Sequence, residues 1–299
     1  MNDILQKPMD HARMTAVLQQ LKSPQLRVSH IGSSARGRAI PVVTLGSGEQ
    51  PVLFVGGVHG MEWVTSAVLI QFLADIGGCL RSAKRFAGYS LRTLMTRRRL
   101  HIVPMLNPDG IELSIHGVRA DDPDLPRLRF YNDGSDDFTR WQSNYHGVDL
   151  NHNFDAGFQD GKALEPQNGI YGPGPTRFGG KAPFSEPETA ALRDYVQKQD
   201  FCNVYAFHSQ GEEIYCDYNG RIPEHGLEMA RILAKVSGYA VEKVEGLTSC
   251  RGFKDWFIEK YDRPGFTIEI GRGANPLPLE QFPEIYRKLR ELLILAATL

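Results

Sequence analysis

Three apolar segments in the order strand, helix, strand constrain the fold of this chain most strongly. PVLFVGG (residues 51–57) has strand length, TSAVLIQFLADI (65–76) is apolar enough for a buried helix, and RRLHIVPMLNPDG (98–110) fits a strand that ends in a turn. When a helix connects two neighbouring strands, the strands run parallel to each other, because the crossover brings the chain back to the same end of the sheet. The region therefore predicts a βαβ unit.

Neighbouring segments extend this unit into a larger sheet. Further strand patterns are RVSHI (27–31) and AIPVVTL (39–45), which suggest a hairpin, then NVYAFHS (203–209) and GFTIEIG (265–271). The 299 residues contain no internal repeat and no linker of domain size. We expect one α/β domain over 1–299, with a mixed, mostly parallel sheet between two layers of helices, and a helical extension at 1–25.

Composition excludes several classes of function. Lys plus Arg number 34 against 35 Asp plus Glu, so there is no electrostatic case for a nucleic-acid or anionic-membrane partner. We find neither a secretory leader pattern nor a run of about 18 apolar residues, and we expect a cytoplasmic protein without a membrane span. The four cysteines form no C-x-x-C pair, which argues against a thiolate metal site.

Residues 116–184 form a long irregular stretch rich in Gly, Pro, Asp and Asn. A polar segment of this length between core elements often builds a binding site, although a disordered linker is the alternative. Regular structure resumes at Ser185, where S-E-P-E fits a capping box with Ser185 as N-cap and Glu188 reaching back.

Polar side chains stand at the carboxyl ends of predicted strands, where open α/β sheets place their sites. His59 follows PVLFVGG, His208 follows NVYAF, and Glu269 lies in the last strand. His59 and Glu62 have the H-x-x-E spacing that can supply two zinc ligands from one turn, with His208 as the third. Alternatively, Glu62 only favours the positive end of a helix dipole while His59 bonds a backbone carbonyl.

Glu269 occupies the polar side of FTIEI, opposite Phe266, Ile268 and Ile270. A carboxylate in a strand covered by helices is costly unless it is paired or functional. A structural ion pair is one explanation. A general base that takes a proton from metal-activated water is the other.

The motifs resemble those of the zinc metallocarboxypeptidase family. They occur in order as HGMEW (59–63), GVDLNHNFDAGF (147–158), AFHSQGEEIY (206–215), GFKDWF (252–257) and FTIEIG (266–271). SHIGSSARGRAIPV resembles the opening strands of the family, and PFSEPET the helix before the third ligand. The similarity runs from about Arg27 to near the C-terminus.

This resemblance implies a metallopeptidase with a single Zn²⁺ ion. His59, Glu62 and His208 are then its ligands, and Glu269 is the catalytic base. The oxyanion-stabilising arginine of the family lies in the loop before D-L-N, where Arg140 is the nearest arginine. Peptides are the expected substrates.

Two positions depart from the family pattern. Ordinary carboxypeptidases have Asn-Arg in the middle motif, and that arginine binds the terminal carboxylate of the substrate. This chain has Asn151-His152, and histidine cannot offer a permanent bidentate fork. The active-site tyrosine of the family falls near Leu247 and is missing.

Two basic residues lie in the segment that lines the family's leaving-group pocket. Lys254 falls at the floor of the pocket and Arg251 just before it. Alternatively, Lys254 is a solvated helix residue and Arg251 a surface loop residue. Positive charge there implies an anionic leaving group. GFKDWF, RPGFTIEIG and NPLP (275–278) resemble the bacterial γ-D-glutamyl-diaminopimelate peptidases, and a peptide or muropeptide substrate follows.

Three functions are compatible with these residues. The first is hydrolysis of the γ-D-glutamyl-diaminopimelate amide in peptidoglycan stem peptides. The second is a conventional metallocarboxypeptidase, or a related zinc amidohydrolase, with an altered carboxylate site. The third is a non-catalytic homologue that binds cell-wall peptides, which the intact ligand set and Glu269 argue against.

Overall fold

A computed structural model describes residues 7–21, 23, 25–243 and 250–299. These residues form one sheet of eight strands. The strands are β1 (Leu26–Ser33), β2 (Ala39–Leu45), β3 (Gln50–Val55), β4 (Arg98–Val103), β5 (Asn203–His208), β6 (Glu213–Tyr215), β7 (Ala240–Glu242) and β8 (Gly265–Glu269).

The strand order across the sheet is β1-β2-β4-β3-β5-β8-β6-β7. The four parallel pairings are β3–β4, β3–β5, β5–β8 and β6–β7, and the three antiparallel pairings are β1–β2, β2–β4 and β6–β8. The predicted hairpin is the β1–β2 pair, and the predicted βαβ unit joins β3 to β4. The predicted mixed, mostly parallel sheet is therefore confirmed.

Helices cover both faces of the sheet. Within the described residues they are α1 (His11–Gln20), α2 (Trp63–Ser82), α3 (Leu91–Arg97), α4 (Pro108–His116), α5 (Leu125–Tyr131), α6 (Phe158–Leu164), α7 (Pro187–Gln197), α8 (Gly226–Ser237), α9 (Phe253–Tyr261) and α10 (Phe282–Ala296). Alternate residues of β3 enter different cores: Phe54 belongs to the core that includes α2, α8 and α10, whereas Leu53 belongs to the core that includes α7 and α9. Helix α1 adds Met14 and Leu18 to the first of these cores.

One helix in the described part of the chain is long and apolar enough to cross a membrane by length and composition alone. It is Gly60–Ser82, which includes α2, and no such segment was expected from the sequence. In the fold, 72% of its most apolar window is buried against the sheet and neighbouring helices. Its apolarity therefore reflects its place in the core.

The predicted capping box at Ser185 is wrong. Helix α7 begins at Pro187 after Glu186, and no side chain caps it. Glu188 instead accepts hydrogen bonds from Ala35 N at 2.9 Å and from Asn144 Nδ2 at 3.1 Å. The Glu188 carboxylate therefore bonds residues distant in the chain and not the end of its own helix. The bond to Asn144 anchors part of the irregular 116–184 stretch.

Candidate metal centre

Three strand ends bring the predicted site residues together. His208 and Glu269 are the last residues of β5 and β8, and they are direct partners in the parallel ladder. β3 lies on the other side of β5, and His59 follows β3 after a short turn. Because all three strands are parallel, their carboxyl ends meet at one edge of the sheet.

The turn after β3 requires glycine at two positions. Gly57 has a φ of +58°, in the left-handed region that residues with a side chain avoid. A Cβ at Gly60 would lie 2.4 Å from Gly110 O and 2.6 Å from Trp141 O. These glycines let the backbone run close to its neighbours, which directs His59 and Glu62 toward β5.

Neither His59 nor Glu62 caps the helix that follows them. No side-chain capping hydrogen bond forms at either end of the Gly60–Glu62 turn. The Glu62 carboxylate faces two imidazoles instead, with Oε1 2.8 Å from His59 Nδ1 and Oε2 3.2 Å from His208 Nδ1. The capping explanation therefore does not account for their spacing.

The geometry of this cluster fits a zinc ion. The two Nδ1 atoms of His59 and His208 are only 3.3 Å apart, and the ligand atoms of the three residues all lie within 4.8 Å of one another. In a hydrogen bond between two imidazole nitrogens, one nitrogen carries the proton and only the other uses its lone pair. A cation bound by both nitrogens would use the lone pair of each. Two imidazoles with one carboxylate suit zinc, while calcium and magnesium prefer oxygen ligands throughout.

Asp149 supports the cluster from behind. Its Oδ1 lies 3.1 Å from His59 Nε2, and its Oδ2 accepts from Arg177 N at 2.9 Å. A carboxylate on the far ring nitrogen fixes the orientation of a ligating histidine and leaves Nδ1 free for a metal. Sequence reasoning did not single out Asp149, although it is the Asp of the D-L-N motif, two residues before Asn151.

The pKa values of the two carboxyl groups at this site, those of Glu62 and Asp149, are both lowered. Burial acts to raise the pKa of Glu62, but the adjacent His59 and His208 lower it to about 2. Burial also opposes ionisation of Asp149, yet the charge of His59 and the hydrogen bonds from His59 and Arg177 N hold its pKa well below its usual range. Conversely, Glu62 and Asp149 overcome the burial of His59 and raise its pKa well above its usual value. Two buried anions beside two imidazoles create a field that attracts a dication.

Replacing Asp149 by asparagine should weaken zinc binding by about 10- to 100-fold, because the His59 ring loses its anionic partner. Titration against a chelating zinc indicator measures this change. Asp155→Asn is the matched control, because Asp155 is exposed in the same segment. An unchanged affinity in Asp149→Asn would show that Asp149 does not support the site.

Glu269 lies beside the cluster with the properties of a proton acceptor. No hydrogen bond or ion pair holds its side chain within the described residues, so a structural ion pair does not explain it. Burial raises its pKa well above the usual value, and the charges of Glu62 and Glu213 add to this effect, while His59 opposes it. A carboxylate of raised pKa can both take and return a proton.

A cavity of about 610 Å³ opens over the cluster. His59, Glu62 and Glu269 line it, and His208 contacts the first two from the buried side. Predicted site residues that also line it are Arg140, Asn151, His152 and Lys254. Arg140 is exposed at this wall.

The structure corrects the placement of Arg251. The Arg251 side chain does not line the cavity and is fully buried, with Nη1 2.6 Å from Glu165 Oε1. It reaches the cavity only through His152, to which Nη2 donates at 3.1 Å. Direct substrate contact by Arg251 was therefore a wrong expectation, and so was the alternative of a surface loop residue.

Lys254 is also buried, and its charge is already paired. It is 5% exposed, and its Nζ forms an ion pair with Asp255 and donates to the carbonyl of Asp217. The alternative of a solvated helix residue does not apply. The Lys254–Asp255 pair thus presents both signs of charge to the cavity.

The position assigned to the missing tyrosine, Leu247, lies outside the described residues. Another tyrosine lines the cavity: Tyr215, whose hydroxyl donates to Glu213. Both residues belong to β6, a strand that the sequence patterns did not predict. The register β6–β8 places Glu213 directly opposite Glu269.

Comparison with known proteins agrees with this geometry. A family model described as zinc carboxypeptidase matches residues 13–291. Gamma-D-glutamyl-L-diamino acid endopeptidase 1 of Lysinibacillus sphaericus is 35% identical over 285 residues, which are 95% of this chain and 70% of that relative.

Solved structures share the fold. Bovine thrombin-activatable fibrinolysis inhibitor, in complex with tick carboxypeptidase inhibitor, matches with a TM-score of 0.74 at 16% identity, over 98% of this chain and 97% of that one. Murein-tripeptide amidase MpaA from Escherichia coli O157 matches with a TM-score of 0.55 at 23% identity, over 93% of each chain. The chain is a metallopeptidase that belongs to the zinc carboxypeptidase family.

Proposed function

We propose that this metallopeptidase hydrolyses the amide bond between D-glutamate, through its γ-carboxyl group, and diaminopimelate in peptidoglycan stem peptides. The observation that carries the proposal is the mixed charge of the cavity. Arg140, Arg177 and Lys254 line it together with Glu213 and Asp255. A diamino, dicarboxylic leaving residue requires both signs of charge. The name of the Lysinibacillus sphaericus relative, a γ-D-glutamyl-L-diamino acid endopeptidase, supports the same substrate class.

Each residue has a defined task in this reaction. His59, Glu62 and His208 hold one zinc ion, which supplies Lewis acidity when bound. The Glu269 carboxylate takes a proton from the attacking water and returns it to the leaving amine nitrogen. Arg140 donates to the oxygen that becomes negative during attack. Asp149 keeps the His59 ring in place. The cytoplasmic location stays a prediction.

The test is incubation of zinc-loaded protein with L-Ala-γ-D-Glu-meso-diaminopimelate and mass spectrometry of the products. We expect release of diaminopimelate together with L-Ala-D-Glu. Two matched peptides serve as controls, one with an α-linked glutamate and one with L-lysine in place of diaminopimelate. Both should be cleaved more slowly, because the first misplaces the amide and the second lacks a carboxylate.

A panel of hippuryl-amino acids distinguishes the proposal from a conventional carboxypeptidase. Release of ordinary C-terminal residues from this panel, with no cleavage of the γ-D-glutamyl peptide, would contradict the proposed function. Binding of the γ-D-glutamyl peptide without any cleavage would instead favour a non-catalytic peptide-binding protein.

A further inference from the structure

A buried arginine contacts the histidine that lines the cavity next to Asn151. His152 is 6% exposed and forms part of the cavity wall, and Arg251 lies behind it with no exposure at all. Arg251 Nη2 lies 3.1 Å from His152 Nδ1. This contact joins residues 99 positions apart in the chain, and the proposed reaction gives it no role.

The contact determines which nitrogen of His152 carries the proton. A guanidinium has five donors and no acceptor, and it stays protonated in proteins. His152 Nδ1 must therefore accept, which leaves the proton of the neutral ring on Nε2. Nε2 is 4.0 Å from Asp149 Oδ2, longer than a hydrogen bond, so its N–H is available to a bound substrate.

His152 stays neutral in this setting. Burial lowers the pKa of the ring to about 4; Asp149 opposes this shift, and the positive charge of Arg251 adds to it. A second proton on the ring would have to occupy Nδ1, directly facing the guanidinium. His152 therefore presents one uncharged donor to the cavity.

Arg251 is held rigidly enough to impose this state. Its Nη1 pairs with Glu165 Oε1 at 2.6 Å, and Gly179 N donates to the same oxygen at 2.9 Å. Glycines make room for the side chain: a Cβ at Gly161 would lie 2.3 Å from Arg251 Nε, and one at Gly179 would lie 2.4 Å from Nη1. Any residue larger than glycine at position 161 or 179 would block the space that the arginine side chain occupies.

Asn151 is oriented in a similar way. Its Oδ1 accepts from Phe253 N at 3.2 Å, at the start of α9. The other end of the carboxamide, Nδ2, is a donor, and Asn151 lines the same cavity as His152. Two adjacent uncharged N–H donors thus occupy this wall.

We propose that Arg251 is a positioning residue that locks His152 as a neutral Nε2–H donor, and that His152 and Asn151 together bind the carboxyl oxygen of the leaving residue without requiring a free carboxylate. The placement on the leaving residue rests on the proposed function. Uncharged donors bind an amide carbonyl as well as a carboxylate. The site then accepts a leaving residue at the end of a peptide or one followed by a further residue.

The first test measures the tautomer directly and needs no activity. Protein labelled with ¹⁵N-histidine is examined by long-range ¹H–¹⁵N correlation, with His152 assigned from the spectrum of His152→Gln. We expect Nε2 to be protonated and Nδ1 to be unprotonated at neutral pH, with no Nδ1-protonated population. A proton on Nδ1, in a neutral or a cationic ring, would overturn the proposal.

Variants show whether Arg251 causes this state. In Arg251→Met an Nδ1-protonated population of His152 should appear, and Arg251→Lys should partly suppress it because a cationic donor is kept. The exposed Arg129, which pairs with Asp136, provides the control Arg129→Met. Loss of the fold in Arg251→Met leaves the wild-type spectrum as the decisive measurement.

The second test compares two substrates that differ by one charge. They are L-Ala-γ-D-Glu-diaminopimelate and its amide at the carboxyl group beside the scissile nitrogen. The wild-type kcat/KM values for the two peptides should agree within about tenfold. A difference of up to this size is expected when one hydrogen bond is made to a charged carboxylate instead of a neutral amide carbonyl. In His152→Arg, the ratio of kcat/KM for the free acid to kcat/KM for the amide should be at least about tenfold higher than in the wild type.

A wild-type preference for the free acid above about tenfold would overturn the proposal. If the wild-type protein cleaves neither peptide, the proposed substrate is wrong, and the tautomer measurement still decides the role of Arg251. The two failures are therefore distinguishable.

Discussion

Glu269→Gln should lower kcat by about 10²- to 10⁴-fold, the range that a positioned general base contributes. Glutamine keeps the size and shape of the side chain but cannot accept a proton. It also removes a carboxyl group whose burial beside Glu62 and Glu213 raises its pKa. The variant should therefore remain folded and keep its zinc. Steady-state kinetics on the γ-D-glutamyl peptide, with zinc content measured on the same sample, checks both parts.

Glu284→Gln is the matched control for this experiment. Glu284 is exposed on α10, pairs with Arg287 and does not line the cavity. Turnover by Glu269→Gln at the rate of this control would remove Glu269 from the mechanism. Loss of zinc from Glu269→Gln would instead show that Glu269 contributes to metal binding.

His208→Ala should abolish measurable activity and weaken zinc binding by more than the 10- to 100-fold expected for the supporting residue Asp149. His208 is 1% exposed, and its Nδ1 faces both His59 Nδ1 and Glu62. Removing it takes away one of the three candidate ligands that converge at this point. Zinc that binds only the folded state also stabilises it, so the variant should lose this stabilisation.

Thermal unfolding with and without added zinc provides the second measurement. The melting temperature of the metal-free wild type should rise when zinc is added, whereas that of His208→Ala should change little. His225→Ala is the control, because His225 is exposed and lies outside the cluster. A wild-type zinc response in His208→Ala would exclude His208 as a ligand.

Local periodicity predicted most of the sheet but missed its short strands. Apolar runs such as residues 51–57 and 203–209 became β3 and β5, because a strand buried on both faces needs a continuous apolar sequence. β6 covers only Glu213–Tyr215 and carries two polar residues, so no pattern marks it. Its position beside β8 nevertheless brings Glu213 opposite Glu269.

The capping box at Ser185 shows how a local pattern can fail. Ser185 and Glu188 have the correct spacing, but the Glu188 carboxylate bonds Ala35 N, 153 residues away in the chain. Asn144 donates to its other oxygen. Asn144 belongs to the stretch 116–184, which therefore supplied one of the two competing partners.

Residue types and their order predicted the α/β class and singled out His59, Glu62, His208 and Glu269, and the family resemblance then predicted the first three as ligands and Glu269 as the base. These features are local: His208 and Glu269 end strands and His59 and Glu62 lie in the turn after one, each strand has an apolar pattern visible by itself, and parallel strands bring their ends to one edge. The buried position of Arg251 was decided only by the tertiary structure. A basic residue near a predicted pocket looks the same in sequence whether it faces the substrate or lies behind the wall. Burial between Glu165 and His152, 86 and 99 residues away, depends on how the long loops close, which no local pattern records.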